Sequence, residues 1–143
     1  AVGSGYMLGI CVPDNFRKPF VSVDMKDFWA RWHISLSEWF RDFVFSRFVM
    51  LGMKNKWFKD RLRGAAVGFL VNMLLMGEWH GLSLHYVAYG LYHGLLLAGT
   101  EVYQKKSKFY KRNKKKRWYG MLSWFATLNL VMFGFLIFSG HLF

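Results

Sequence analysis

The hexapeptide Met76-Gly77-Glu78-Trp79-His80-Gly81 joins two uncharged runs, Gly64–Gly77 and Trp79–Thr100, the second of which carries His80. A histidine deep in apolar sequence is costly to place unless something there needs it. Its unperturbed pKa lies close to neutrality, so the ring can accept a proton and return it. Gly77 and Gly81 permit a break in the helix or the close approach of another backbone or a ligand. His80 is therefore a candidate catalytic base at membrane depth. The alternative is a buried histidine bonding a helix carbonyl. Glu78 either orients His80, faces a pore, or is a snorkelling or paired carboxylate.

Other chemistries find less support. His80, His85 and His93 lie five and eight residues apart. At 100° per residue the first pair stands about 140° apart on a helix, so the two cannot share a face and no metal site is expected. No Gly-x-Ser-x-Gly stands on a strand-turn-helix. Cys11 is the sole cysteine, which rules out an intramolecular disulfide and any Cys-based zinc site within the chain. It lies near Pro13 with no activating pattern and reads as structural.

The elements that would position His80 follow from charge and hydropathy. Of 143 residues 54% are hydrophobic and 20% aromatic, yet the net charge is +12. Apolar and strongly basic together point to a membrane protein whose loops face an anionic leaflet. A nucleic-acid binder is disfavoured, because the lysines cluster between two spans. No basic stretch precedes an apolar one at the start, so no signal peptide is expected. Ala1–Val12 is too short to span. Pro13-Asp14-Asn15 breaks the chain, and Phe16–Phe20 reads as an extended connector.

Ser22 or Asp24 can cap a helix running from Met25 to Leu51. Phe28, Trp32, Leu36, Trp39, Phe40 and Phe43 form an apolar stripe along it; Asp27, Arg31, Ser35, Glu38 and Asp42 form a polar one. A second polar line, His33, Ser37 and Arg41, suggests an interfacial helix with one polar edge turned into the protein. Lys54–Arg63 is a basic loop. Gly64–Gly77 spans 14 residues, about 21 Å of helix and short for a full crossing. Residues 101–117 form a second basic loop, and Trp118–Phe143 is a 26-residue uncharged span. Basic loops stay cytoplasmic, so residues 64–100 should enter the membrane and come back. His80 then sits in the turning region, lining a pocket. The expected fold is all-α and polytopic, with transmembrane and re-entrant or interfacial helices.

Phe28-Trp29-Ala30-Arg31-Trp32-His33-Ile34-Ser35-Leu36-Ser37, then Trp39-Phe40-Arg41-Asp42, then Trp79-His80-Gly81, resembles the membrane-bound O-acyltransferase family. The remaining text resembles its D-alanyl transfer branch: Val2-Gly3-Ser4-Gly5-Tyr6, Asn15-Phe16, Lys18-Pro19-Phe20, Phe45-Ser46-Arg47-Phe48-Val49-Met50 and Met53-Lys54-Asn55-Lys56. The alginate acetyltransferase branch shares Trp-His-Ile-Ser-Leu-Ser but continues into a Pro-Leu-Gly-Gly-Asn-Arg stretch that is absent here. The resemblance covers nearly the whole chain. It implies the C-terminal part of a longer multi-pass protein of the cell membrane, whose N-terminal helices close the bundle.

The resemblance also implies a reaction. His80 matches the family's catalytic histidine, and His33 a second family histidine. The activity is acyl transfer from a thioester to a hydroxyl, with no tightly bound cofactor. The donor is D-alanine on the phosphopantetheine arm of a small acidic carrier protein in the cytosol. The acceptor is a teichoic acid hydroxyl outside. A donor tunnel would be lined by His33, Ser37, Arg41 and Glu78, with Ser37 and Arg41 placed there by helical spacing rather than by the family. Val44, Phe45, Phe48, Val49 and Met50 either dock the carrier, with Lys54 and Lys56 steering its acidic surface, or pack as ordinary core. Within the family, the alternative is another polysaccharide or lipid O-acyltransferase. Outside it, the alternative is a non-catalytic membrane subunit presenting a basic face.

Overall fold

The computed structural model describes residues 2–142, so Ala1 and Phe143, the outer ends of the first and last apolar runs, lie outside the described residues. Its helices are α1 (Val2–Met7), α2 (Met25–Arg31), α3 (Ile34–Phe40), α4 (Ser46–Lys54), α5 (Arg61–His80), α6 (Leu84–Lys106), α7 (Lys108–Asn113) and α8 (Arg117–Phe138). A 3₁₀ turn at Pro19–Val21 precedes α2, and a π-helical segment, Arg41–Phe45, joins α3 to α4. All regular structure among the described residues is helical.

The hairpin of α5 and α6 is the centre of the molecule. Asp60 caps α5, its carboxylate accepting the Arg63 amide at 2.8 Å. The chain turns at residues 81–83 and returns antiparallel as α6. Glycines bring the two backbones together. A Cβ on Gly77 would lie 2.4 Å from the Tyr86 carbonyl oxygen, and one on Gly90 2.5 Å from that of Met73. Small residues at such crossings let helices approach to backbone contact.

Because α5 rises from Arg61 and α6 descends to Lys106, the two basic segments lie at one end of the bundle and the 81–83 turn at the other; the second, expected as a loop over 101–117, is largely helical, forming the end of α6 and all of α7. Helix α8 starts at the basic end and packs along α6. The Tyr92 hydroxyl donates to the Leu130 carbonyl at 2.9 Å, and Phe138 meets Tyr89. Among the described residues, α8 is the one helix long and apolar enough to cross a membrane, by length and composition. Its Met121, Leu122, Phe125, Met132 and Phe133 are exposed.

The expected single helix from Met25 to Leu51 is broken at Trp32-His33. Trp32 is extended and His33 left-handed at φ 46°. The cause is remote in sequence. The Arg17 amide donates to the Arg31 carbonyl at 2.9 Å, and the Asn15 carbonyl accepts the Ile34 amide at 2.9 Å. The Asn15 side chain then accepts the Ser35 amide at 3.0 Å, and the Ser35 hydroxyl as well. The segment from Asn15 to Arg17 thus ends one helix and caps the next. Capping groups of this kind are worth about 1 kcal/mol. Asn15→Ala in the full-length protein should cost about that much stability, read as a lower thermal midpoint with unchanged helix content. No shift in the midpoint would show that the cap contributes nothing.

The break resets the helical phase. Phe28, Trp29, Ile34 and Phe40 are buried, while Trp39 and Phe43 of the expected stripe are about half exposed, at 53% and 52%. At its other end α2 is tied to α6. Lys26 Nζ lies 2.6 Å from the Glu101 carboxylate, and the Gln104 amide donates to Asp24 at 3.0 Å.

Candidate active site

His80 is the last residue of α5, and its ring is half-buried. Gly81 ends the helix at φ +155°, and a Cβ there would meet the Tyr86 ring at 2.8 Å. This position therefore needs glycine, and the turn it makes sets His80 at the rim of the bundle. The imidazole is held by rings. Phe138 stands edge-on with a centroid 5.2 Å away, Trp79 lies at 5.0 Å and Tyr86 at 6.1 Å. Such packing orients a ring without engaging its nitrogens, which leaves them to a reacting group.

The buried histidine with a structural bond is a different one. His93 on α6 is fully buried, and Trp29 Nε1 on α2 donates to its Nδ1 at 3.3 Å. Its Nε2 faces Gly134 of α8, where a Cβ would lie 2.5 Å away. His93 thus joins α2, α6 and α8 at the core. His85 packs on Tyr86 at 4.1 Å. Among the described residues, no group of three or more His, Cys, Asp or Glu side chains is placed to hold a metal.

His33, held left-handed by the α2–α3 break, is half-buried against Phe16 at 5.3 Å and Trp32 at 6.1 Å. Trp32 meets Phe135 at 5.2 Å, and Phe138, one turn along α8, meets His80. The structure therefore gathers both histidines at the end of the bundle opposite the basic loops.

A cavity of about 270 Å³ runs between α2, α3, the π segment, α5 and α6. Ser37 and Arg41 line it together with Trp29, Phe69, Asn72 and Met76; His33 and Glu78 do not. Met76 stands one turn below His80, so the cavity reaches to within about 6 Å of its helical level. A second cavity of about 560 Å³ shares Lys26, Phe45 and Phe69 with the first and reaches Arg61 and Lys105 at the basic end. Together they trace a path along α5 from the basic loops towards His80. Glu78 is exposed, about 200° round the helix from His80.

The segment expected either to dock a carrier or to pack as core is partly packed and partly exposed. Phe45 stacks on Phe69 at 4.5 Å, Phe48 meets Phe58 at 6.0 Å, and Val49 lies against Gly68. Val44 is half-buried, whereas Met50, Lys54 and Lys56 are exposed. Sequence reasoning gave no role to Asn72 or Trp29 and weighed His93 only as a metal ligand. Asn72 carried a signal, as the sole amide side chain in the run Gly64–Gly77.

No family model matches the chain. Individual relatives do. It is 49% identical over 140 residues to a teichoic acid D-alanyltransferase of Bacillus subtilis, covering 98% of this chain and 35% of that protein. It is 46% identical over 151 residues to the teichoic acid D-alanyltransferase of Streptococcus thermophilus, covering 99% and 36%. A probable alginate O-acetylase of Pseudomonas fluorescens is 35% identical over 141 residues, covering 99% of this chain and 26% of its own length. The chain thus spans about a third of the D-alanyltransferases it matches.

Proposed function

We propose that this chain, a member of the membrane-bound O-acyltransferase family, carries the catalytic histidine of a protein that moves D-alanine from a carrier-protein thioester to teichoic acid hydroxyls. The observation that carries the reading is the placement of His80. Its ring is held by aromatic packing at the end of α5, one turn beyond Met76, which lines the first of two cavities leading back to the basic end.

In this reading the acceptor hydroxyl approaches His80 from the outer side. His80 takes its proton as the oxygen attacks the thioester carbonyl. The C–O bond forms, the C–S bond breaks, and the carrier thiolate leaves and is reprotonated. No acyl-enzyme is required. His33 sits beside this centre as the second family histidine. The arm of the carrier enters from the cytosolic side, where Arg61 and Lys105 face the larger cavity and suit a phosphate. Ser37 and Arg41 line the inner part of the path. Met50, Lys54 and Lys56 offer the exposed surface on which an acidic carrier docks. The basic loops are cytoplasmic, α8 crosses the bilayer, and the rest of the protein closes the bundle.

The donor is the part to test first. Membranes holding the full-length protein should transfer labelled D-alanine to teichoic acid from the loaded carrier, and not from free D-alanine or an acyl coenzyme A. Transfer from the coenzyme A thioester alone would favour a different O-acyltransferase of the family.

A further inference from the structure

Asn72 is the buried polar side chain of the cavity that the mechanism leaves without a role. It is 7% exposed and lines the 270 Å³ cavity. Its Oδ1 is buried with no hydrogen-bond partner among the described residues. Its neighbours on the wall are Phe69, Met73 and Met76, which offer none. Of the other polar side chains on the wall, Glu38 is an exposed carboxylate with no donor to offer Oδ1, and the rest are engaged. The Ser37 hydroxyl donates to the Trp32 carbonyl at 3.1 Å, Lys26 is paired with Glu101 at 2.6 Å, and Arg41 Nε with Asp42 at 3.0 Å. A buried amide left unpaired is destabilising, so such a group is retained where something else completes it.

We propose that Asn72 recognises an amide of the donor's pantetheine arm, pairing amide to amide inside the cavity. The proposal rests on the carrier-thioester reading above. An amide presents one acceptor and N–H donors, so its natural complement in an apolar slot is a second amide. Distance selects which one. Asn72 lies eight residues before His80, about 12 Å along the helix. An extended chain advances about 1.2 Å per bond. Four bonds separate the thioester carbon from the nearer amide nitrogen of the arm, and eight from the outer one, or about 5 and 10 Å. The outer amide therefore reaches Asn72 when the thioester stands at His80. Asn72 is a specificity residue, reading an arm with an amide at that distance and not a plain acyl chain.

The test uses full-length protein in membranes, with Asn72→Leu as an isosteric variant. Carriers are charged with the natural arm, with an arm whose outer amide is replaced by two methylenes, or with one altered at the inner amide. Wild type should show a KM about tenfold higher for the outer-amide replacement and less than twofold higher for the inner one, with kcat unchanged. Asn72→Leu should raise the KM for the natural arm about tenfold, and add less than twofold for the outer-altered arm. Independent, multiplying penalties would overturn the role of Asn72 alone. So would a lowered thermal midpoint with no change in KM, since Asn72 would then be bonded to another part of the protein. The wild-type comparison of the two altered arms stands even where the variant fails to fold: equal or reversed penalties overturn the proposal. Absence of transfer from any carrier in wild type would overturn the donor reading, and this proposal with it.

Discussion

His80→Ala in the full-length protein should lower D-alanyl transfer by a factor of about 10²–10⁴, the range a positioned general base supplies. Protein abundance in the membrane and the thermal midpoint should stay near wild type. The reason is local. The His80 ring is half-buried, and its neighbours Trp79, Phe138 and Tyr86 touch it as faces and edges. Removing it opens a small space at the rim and strands no buried donor. His93→Ala is the contrasting case. It empties a fully buried site and leaves the Trp29 indole N–H without its acceptor. That variant should lose several kcal/mol of stability through the cavity and the stranded donor together. The pair separates chemistry from packing. If His80→Ala loses transfer only in proportion to lost protein, His80 is structural and the base must be sought at His33.

Much of this arrangement can be read from the residues, and the parts that cannot share a cause. The α5–α6 hairpin is written locally: two uncharged runs, a basic loop beyond each end, and glycines at the turn. The α2–α3 break is not, because its determinants are at Asn15 and Arg17, up to 20 positions away along the chain. Local periodicity continues Met25–Leu51 as one helix because nothing within it forbids Trp32 and His33 from being helical. The same break explains why Trp39 and Phe43 face outward while Trp29 and Ile34 enter the core. Ser37 and Arg41 keep their spacing within α3 and the π segment and share the cavity, whereas His33 is turned away from their line. Asn72 illustrates a different kind of gap. A polar residue in an apolar helix is visible in sequence, but its lack of a partner appears only once every neighbour is in place.

Gly90→Leu should separate the hairpin, and with it the whole site. The Cβ alone would sit 2.5 Å from the Met73 carbonyl oxygen and 3.1 Å from the Leu74 Cα. Both are backbone atoms of α5, so no side-chain rotation relieves the clash; the helices must part. Overpacking of a well-filled core costs about 1–3 kcal/mol where side chains can adjust. Here they cannot, and the cost should exceed that range. The displacement would spread along α5. Gly77 faces the same seam, where a Cβ would lie 3.1 Å from the Gly90 Cα, and Gly94 closes on the Leu70 Cα at 3.1 Å. Asn72, Met76 and His80 all ride on the helix that must move. Transfer should therefore fall with Gly90→Leu although the residue touches no proposed substrate, and the thermal midpoint should fall with it. Gly99→Leu on the same helix is the control: beyond its own stretch of helix, no atom of the described residues lies within 4 Å of a Cβ there, and both readouts should stay near wild type. Equal behaviour of the two variants would mean that close backbone contact along α5 and α6 does not hold the His80 end of the bundle in place.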